Sequence, residues 1–209
     1  KLFVDGIPGT MADGQGQMSH IDLVSTDRIE VMRGPYSVLY GNSSGGVISV
    51  FTQDGGPNNE IEPYFELGSY SQRKIGVKAS GIYRNTNYLL DVGDFHTNGY
   101  RVHSAADRFN ANSKLKFKMG GDTSISFIAN NVNLTAQDPL GLTSSQLAAN
   151  PQQAGINAIS QNTNKSVLQS QTGATIDKRL DSANNLVFTP YYGQRHVTQF
   201  LAATNNGVI

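Results

Sequence analysis

The sequence contains no cysteine, and only 15% of its 209 residues carry a charge. The first absence excludes disulfides and thiolate metal sites, although it leaves the compartment open. No stretch approaches the roughly 18 consecutive apolar residues of a membrane-spanning helix, which excludes helical spans but not spans made by strands. Basic and acidic residues balance at 16 each, so there is neither a basic footprint for nucleic acid nor an acidic tail. Hydrophobic residues reach only 38%, and the remainder is filled by 22 glycines together with Asn, Ser, Thr and Gln. That mixture is too uncharged for a disordered tail and too polar for a helical bundle. It suits many short strands with one wet face, so the expected fold class is mainly β.

The first 55 residues have their own character. Leu2-Phe3-Val4 reads as a short strand ended by the turn Asp5-Gly6, and Ile29 to Met32 as another, broken by Gly34-Pro35. Val47 to Phe51 is a third, entered through Gly45-Gly46, and between them lies the polar, glycine-containing loop TMADGQGQMS. A compact mixed domain over 1–55, with a loop at its tip, is expected. The punctuation Gly55-Gly56-Pro57-Asn58-Asn59 closes it.

Beyond that point the pattern becomes alternation. In RFNANSKLKFKM, Phe109, Ala111, Ser113, Leu115, Phe117 and Met119 share one face, while Asn110, Asn112, Lys114, Lys116 and Lys118 share the other. A period of two belongs to a strand; a helix would scatter these residues. Similar runs occupy 61–70, 74–83, 88–97, 123–132, 167–180 and 186–196, which makes seven strands in 56–209. Each is about the 9 to 11 residues that a tilted strand needs to cross a bilayer core. The connections 84–87, 120–122 and 181–184 are turn-sized, whereas 98–107 and 134–166 are long and polar. Short turns on one rim and long loops on the other describe a transmembrane antiparallel β-barrel, and a soluble β-sandwich can imitate them.

The block DRIEVMRGPYSVLYGNSSGGVISVFTQ, residues 27–53, with Val4-Asp5-Gly6-Ile7-Pro8 upstream, resembles the end of the plug domain of TonB-dependent outer-membrane receptors. The segments 97–110 and 136–143 also resemble early barrel segments of that family. The resemblance implies a mixed α/β plug inside a barrel of about 22 strands. This chain would then be an open fragment: the C-terminal part of the plug at 1–55, and about seven barrel strands at 56–209. Both ends are read as cuts. The segment on which TonB pulls is expected upstream of Lys1.

The wording around Gly6-Ile7-Pro8, Thr10-Met11 and Asp13-Gly14-Gln15-Gly16-Gln17 is most similar to the ferric siderophore and ferric citrate-type branch. The implied function is TonB-dependent uptake of a metal chelate across the bacterial outer membrane, with outer-membrane lipid as the surrounding partner and no nucleic acid. A passive channel is the alternative, as is uptake of another scarce nutrient (cobalamin, a copper chelate or a glycan) by the same mechanism. The tip loop 10–17 is the candidate substrate face. Met11 would offer an apolar contact, Asp13 a carboxylate, and Gln15 and Gln17 amides; Tyr36 and the loop 134–166 are secondary candidates.

Glu30 and Arg33 are two charges beside a strand. The family resemblance assigns them to plug–barrel contacts, against the plainer reading of solvated or mutually paired side chains. The stripe Lys114, Lys116 and Lys118 is expected to face the lumen, with Glu62 and Glu66 elsewhere on the wall. His20, His96, His103 and His196 lack ligand spacing, and a chelate brings its own ligands, so neither a protein metal site nor a cofactor is expected. Nucleophile–base spacing and phosphate loops are absent, which argues against an enzyme. The plug is expected on the concave, polar face of the sheet; an apolar face turned toward it would sink the barrel reading.

Overall fold

The computed structural model describes the whole chain except Ala12, Asp13, Gln17, Tyr36, Asn42, Ser44, Gly121 and residues 204–209. Among the described residues no helix is long and apolar enough to cross a membrane, which says nothing about strands.

A small sheet forms first. Its strands are β1 (Leu2–Val4), β2 (Ile7–Pro8), β3 (Thr26–Arg33) and β4 (Gly46–Thr52), in the order β2-β1-β4-β3. Asp5 and Gly6 both take positive φ, 48° and 81°, and make the two-residue turn that matches hairpin twist between β1 and β2. β1 then runs parallel to β4, while β3 and β4 are antiparallel. Leu2, Val4, Ile21 and Val50 form the buried cluster, with Ile48 packed against it. Gly46 sits at φ 129°, where a Cβ would lie 2.4 Å from the Met32 carbonyl, so only glycine lets β4 start so close to β3. A short helix, α1 (Ser37–Tyr40), bridges β3 and β4.

The wall follows as β5 (Glu60–Leu67), β6 (Arg73–Tyr83), β7 (Thr86–Thr97), β8 (Ala106–Lys118), β9 (Thr123–Gln137), β10 (Asn164–Arg179), β11 (Asn185–Phe188) and β12 (Tyr191–Phe200). All neighbours are antiparallel and consecutive in sequence. β11 and β12 both pair with β10, so they are one strand interrupted at Thr189-Pro190. Proline has no N–H for the ladder there, but its carbonyl still accepts from Ala174 at 3.0 Å. The wall is thus a seven-stranded meander.

The two faces of the wall differ. Lys78, Asp91, Asn110, Asn130, Gln169 and Gln171 lie buried beneath the small sheet, mixed with Leu89, Ile128, Val132 and Val167. Ile61, Phe65, Ile75, Val77, Leu90, Val92 and Phe127 are exposed on the opposite side. The wall thus turns a mostly apolar face away from the small sheet and a mixed, largely polar one toward it.

Two boundaries depart from expectation. β9 continues to Gln137 and β10 begins at Asn164, several residues beyond the alternating runs. The polar loop also contains a helix, α2 (Ser144–Ala149), started by a capping box in which Thr143 and Gln146 bond each other's backbone.

Candidate functional site

The junction between the small sheet and the wall gathers the charged chemistry of the chain. Where the chain leaves β4, Asp54 accepts from Lys114 at 2.7 Å and from Lys116 at 2.8 Å. Lys114 also donates to the Thr52 carbonyl at 3.0 Å and stands 3.8 Å from Asp5, whose carboxylate accepts from the Thr52 N–H at 2.9 Å. Lys78 donates to Gln53 Oε1 at 3.0 Å and pairs with Glu62 at 3.1 Å. Burial pushes the Asp54 carboxyl up, but hydrogen bonds and charge from Lys114 and Lys116 outweigh it and leave it below the usual carboxylate value.

One residue on, Asn87 behaves like a strand neighbour. Its Oδ1 accepts from the Gly55 N–H at 2.8 Å and its Nδ2 donates to the Gly55 carbonyl at 2.7 Å. The approach is possible only because Gly55 has no side chain: a Cβ would stand 2.3 Å from the Gly81 carbonyl and 2.7 Å from that of Tyr88.

In the middle of the interface Asp91 is fully buried. Its Oδ2 accepts from Tyr64 Oη at 3.3 Å and from Asn110 Nδ2 at 3.4 Å, and Asp22, in the loop that leads into β3, lies near it. Tyr64 lies across Gly76 and Gly93, where added Cβ atoms would fall 2.2 and 2.3 Å from its ring and hydroxyl. Further along, Gln169, Asn130 Oδ1, Asn112 Nδ2 and Ser25 Oγ are buried with no hydrogen-bond partner among the described residues. Polar groups in such density suit an interface that can part and rehydrate better than a sealed core.

At the far end the tip loop closes on itself through a bridge between Thr10 and Gly16, with Met11 N–H donating to the Gln15 carbonyl at 3.1 Å. It meets the wall at β12, where Arg195 donates to the Gln15 carbonyl at 3.0 and 3.1 Å, and nearby Gln171 donates to the Pro8 carbonyl at 2.6 Å. Of the five candidate substrate residues, Met11 and Gln15 are on this loop, while Asp13, Gln17 and Tyr36 fall outside the described residues.

Glu30 and Arg33 do not reach β5–β12. β3 is the outermost strand of the small sheet, and Glu30 accepts from Arg28 Nε at 3.0 Å on its exposed face. Arg33 instead lines an open pocket of ≈ 520 Å³ with Thr10, Gly14, Gly16 and Met18, which brings it beside the tip loop. The lysine stripe does face the small sheet, but its partners are Asp54 and Asp5; Glu62 and Glu66 pair with Lys78 and Lys74 across the β5–β6 ladder. Lys118 ends β8 exposed. Asp54, Asn87 and Tyr64 were missed because an acid in a linker, an amide at a turn and a tyrosine opposite glycines carry no signal of their own until the strands are in register.

On the long-loop rim, residues 98–105 and 138–163 are hydrogen-bonded together through Arg101, Val102 and His103. Among the described residues no group of three His, Cys, Asp or Glu is placed to hold a metal ion.

Residues 1–47 match the model of the TonB-dependent receptor plug domain. Over 97% of this chain and 32% of that one, the fold superposes on the ferric citrate transporter FecA in its unliganded form, with a TM-score of 0.80 at 20% identity. The ferric-catecholate import receptor Fiu of E. coli K12 aligns over 95% of this chain and 32% of its own at a TM-score of 0.71 and 15% identity. The copper transporter OprC aligns over 92% and 29% at 0.68 and 16% identity. The chain thus spans about a third of the length of these proteins and shares their fold over that part.

Proposed function

We infer that a chain carrying a TonB-dependent receptor plug against an apolar-outward wall serves energised uptake of a metal chelate through the bacterial outer membrane. The observation that carries this reading is the junction itself. A plug match over residues 1–47 continues, on the same chain, into strands whose exposed apolar side chains face away from that plug. A soluble sandwich would bury that face; a passive channel has no use for a plug.

Within this reading 1–55 is the C-terminal part of the plug and 56–209 the first strands of the barrel, with lipid around the wall and TonB acting on the plug. The chelate is of the ferric siderophore or ferric citrate type. Met11, Asp13, Gln15, Gln17 and Tyr36 form its plug-side contacts, and Arg33, beside the same loop, adds a cation suited to an anionic chelate. Any wall contact of Glu30 and Arg33 would involve strands other than β5–β12.

The test is uptake of radiolabelled iron, presented as ferric citrate, a hydroxamate chelate or a catecholate chelate, in a receptor-deleted strain carrying the full-length protein. Uptake of one of these that stops when TonB is removed is the expected result. Uptake that persists without TonB would support a passive channel, and a protein recovered without detergent would end the membrane reading.

A further inference from the structure

The rim opposite the tight turns holds one arginine whose position the junction does not explain. Arg101 belongs to the loop between β7 and β8, yet its guanidinium is spent on the loop between β9 and β10. Nε donates to the Gln153 carbonyl at 2.9 Å, one terminal nitrogen to the Leu140 carbonyl at 2.7 Å and the other to the Pro139 carbonyl at 3.0 Å. No carboxylate among the described residues pairs with it. A planar fork with fixed N–H directions can satisfy three carbonyls at once, which the point charge of a lysine cannot.

The contacts around it all tie the same two loops. Val102 N–H donates to the Gln152 carbonyl at 2.8 Å, and His103 Nε2 donates to the Thr163 carbonyl at 2.8 Å. Thr163 is fully buried, and its hydroxyl donates to the Asp138 carbonyl at 2.6 Å. Pro139 also accepts from Gly155 N–H at 2.7 Å, so the carbonyls that face Arg101 are gathered before it arrives. His103, Leu140 and Asn162 hold positive φ of 61°, 55° and 47°. Non-glycine residues keep that conformation only where their surroundings determine it. Asn98 N–H extends the chain of contacts to the Tyr70 carbonyl at 2.8 Å, in the turn between β5 and β6.

We propose that Arg101 is the positioning residue of the ligand vestibule: it joins loops 98–105 and 138–163 into one preformed body, so that a chelate meets a standing wall instead of loops that must fold around it. This rests on the uptake reading. Arg101 touches no ligand in it; it acts through the two loops, and removing it makes binding carry the cost of ordering them.

The full-length receptor in lipid nanodiscs, as wild type, Arg101→Lys and Arg101→Met, tests this by hydrogen exchange. In Arg101→Met the amides of Val102 and Gly155 should exchange about a hundredfold faster while those of β7 to β10 are unchanged, with Arg101→Lys between the two. Faster exchange in 98–105 alone, or a lysine variant equal to wild type, overturns the proposal. Should Arg101→Met also lose protection in the strands, Gly155→Val approaches the unit from the other loop. Its Cβ would lie 2.9 Å from Leu140 Cβ and 3.0 Å from the Gly141 carbonyl, and both loops should again loosen together. Uptake of radiolabelled ferric citrate should show a half-saturation concentration raised about tenfold in Arg101→Met, with the maximal rate within about twofold. An equal fall in maximal rate overturns a positioning role. Failure of the wild type to carry ferric citrate counts against that chelate only, since the exchange experiment needs no substrate and decides the role of Arg101 alone.

Discussion

The small sheet meets the wall differently at its two ends. At its exit, Gln53, Asp54 and Gly55 are held by Lys78, Lys114, Lys116 and Asn87, with charge against charge and an amide paired to the backbone on both edges. At its tip, the contacts among the described residues include donations from Arg195 and Gln171 to the main-chain carbonyls of Gln15 and Pro8. A carbonyl accepts over a broad range of directions, and every residue has one, so a loop can slide by a residue and still be bound. Paired charges at fixed side chains allow no such exchange. The exit is held by groups fixed in place, whereas these two tip contacts tolerate a shift of the loop.

The strongest way to break this contrast is Gly55→Val. Its Cβ would meet three backbone atoms within 2.7 Å, none of which can rotate away. Docking of the small sheet should weaken by about 1–3 kcal/mol, read as faster hydrogen exchange in β4 of the full-length protein. Unchanged exchange would mean that the linker is not held where it crosses Gly81.

Lys114→Met comes next. It leaves Asp5, mostly buried, and Asp54 without their shared cation, at a cost of about 1–2 kcal/mol after allowance for the half-exposed Asp54. Lys116→Met, at a more exposed site, should cost less, and the reverse order would show that Asp5 is indifferent to Lys114.

Acid sharpens the comparison further. A carboxyl held below its ordinary value of 3.8 adds stability that is complete above that value and lost as the pH falls through its lower folded value. The exit should therefore stay docked at pH 5 and loosen only below about pH 4. Loosening of β4 already at pH 6 would assign the interface to other groups. The smallest effect is expected at the tip: Arg195→Gln should cost about 0.5–1 kcal/mol and leave exchange in β4 unaltered, since the exit does not depend on it.

The wall was legible in the sequence wherever one side of it meets a different environment from the other. In β8 the alternation of Phe109, Leu115 and Phe117 with Asn110, Lys114 and Lys116 survives intact, because apolar residues face outward and the small sheet covers the rest. In β9 the same reading stopped near Val132, although pairing continues to Gln137. There Asn133, Thr135 and Gln137 point outward and Val132, Leu134 and Ala136 inward, so the period of two continues but its apolar phase is opposite to that of Ile125, Phe127 and Ala129, and the run breaks where the phase changes. The small sheet was legible through its glycines, since Gly6 and Gly46 occupy conformations that other residues avoid. The junction was not. That lysines 114 and 116 face inward follows from one strand, but that they meet Asp54 depends on contacts 60 and 62 residues apart in the chain. Glu30 and Arg33 were read as contact residues from the family resemblance and as charges beside a strand; that their strand is an edge of the small sheet becomes visible only in the sheet order.

The difference between the two rims also bears on how the wall comes together. At the tight-turn rim, Asp181 accepts from the backbone of Ala183 and Asn184 and from the Asn184 side chain, which holds its carboxyl below the usual value. Every partner is within three residues, so this turn can form before any strand has found its neighbour. The opposite rim is completed only when Arg101 reaches carbonyls 38 to 52 residues away. Closing such separations is slow because chain entropy is lost before any contact compensates it. Strand pairing is therefore expected to zip from the turns toward the loops. Changes at Asp181 would slow refolding in proportion to the stability they remove, whereas changes at Arg101 would leave the refolding rate alone and hasten only unfolding.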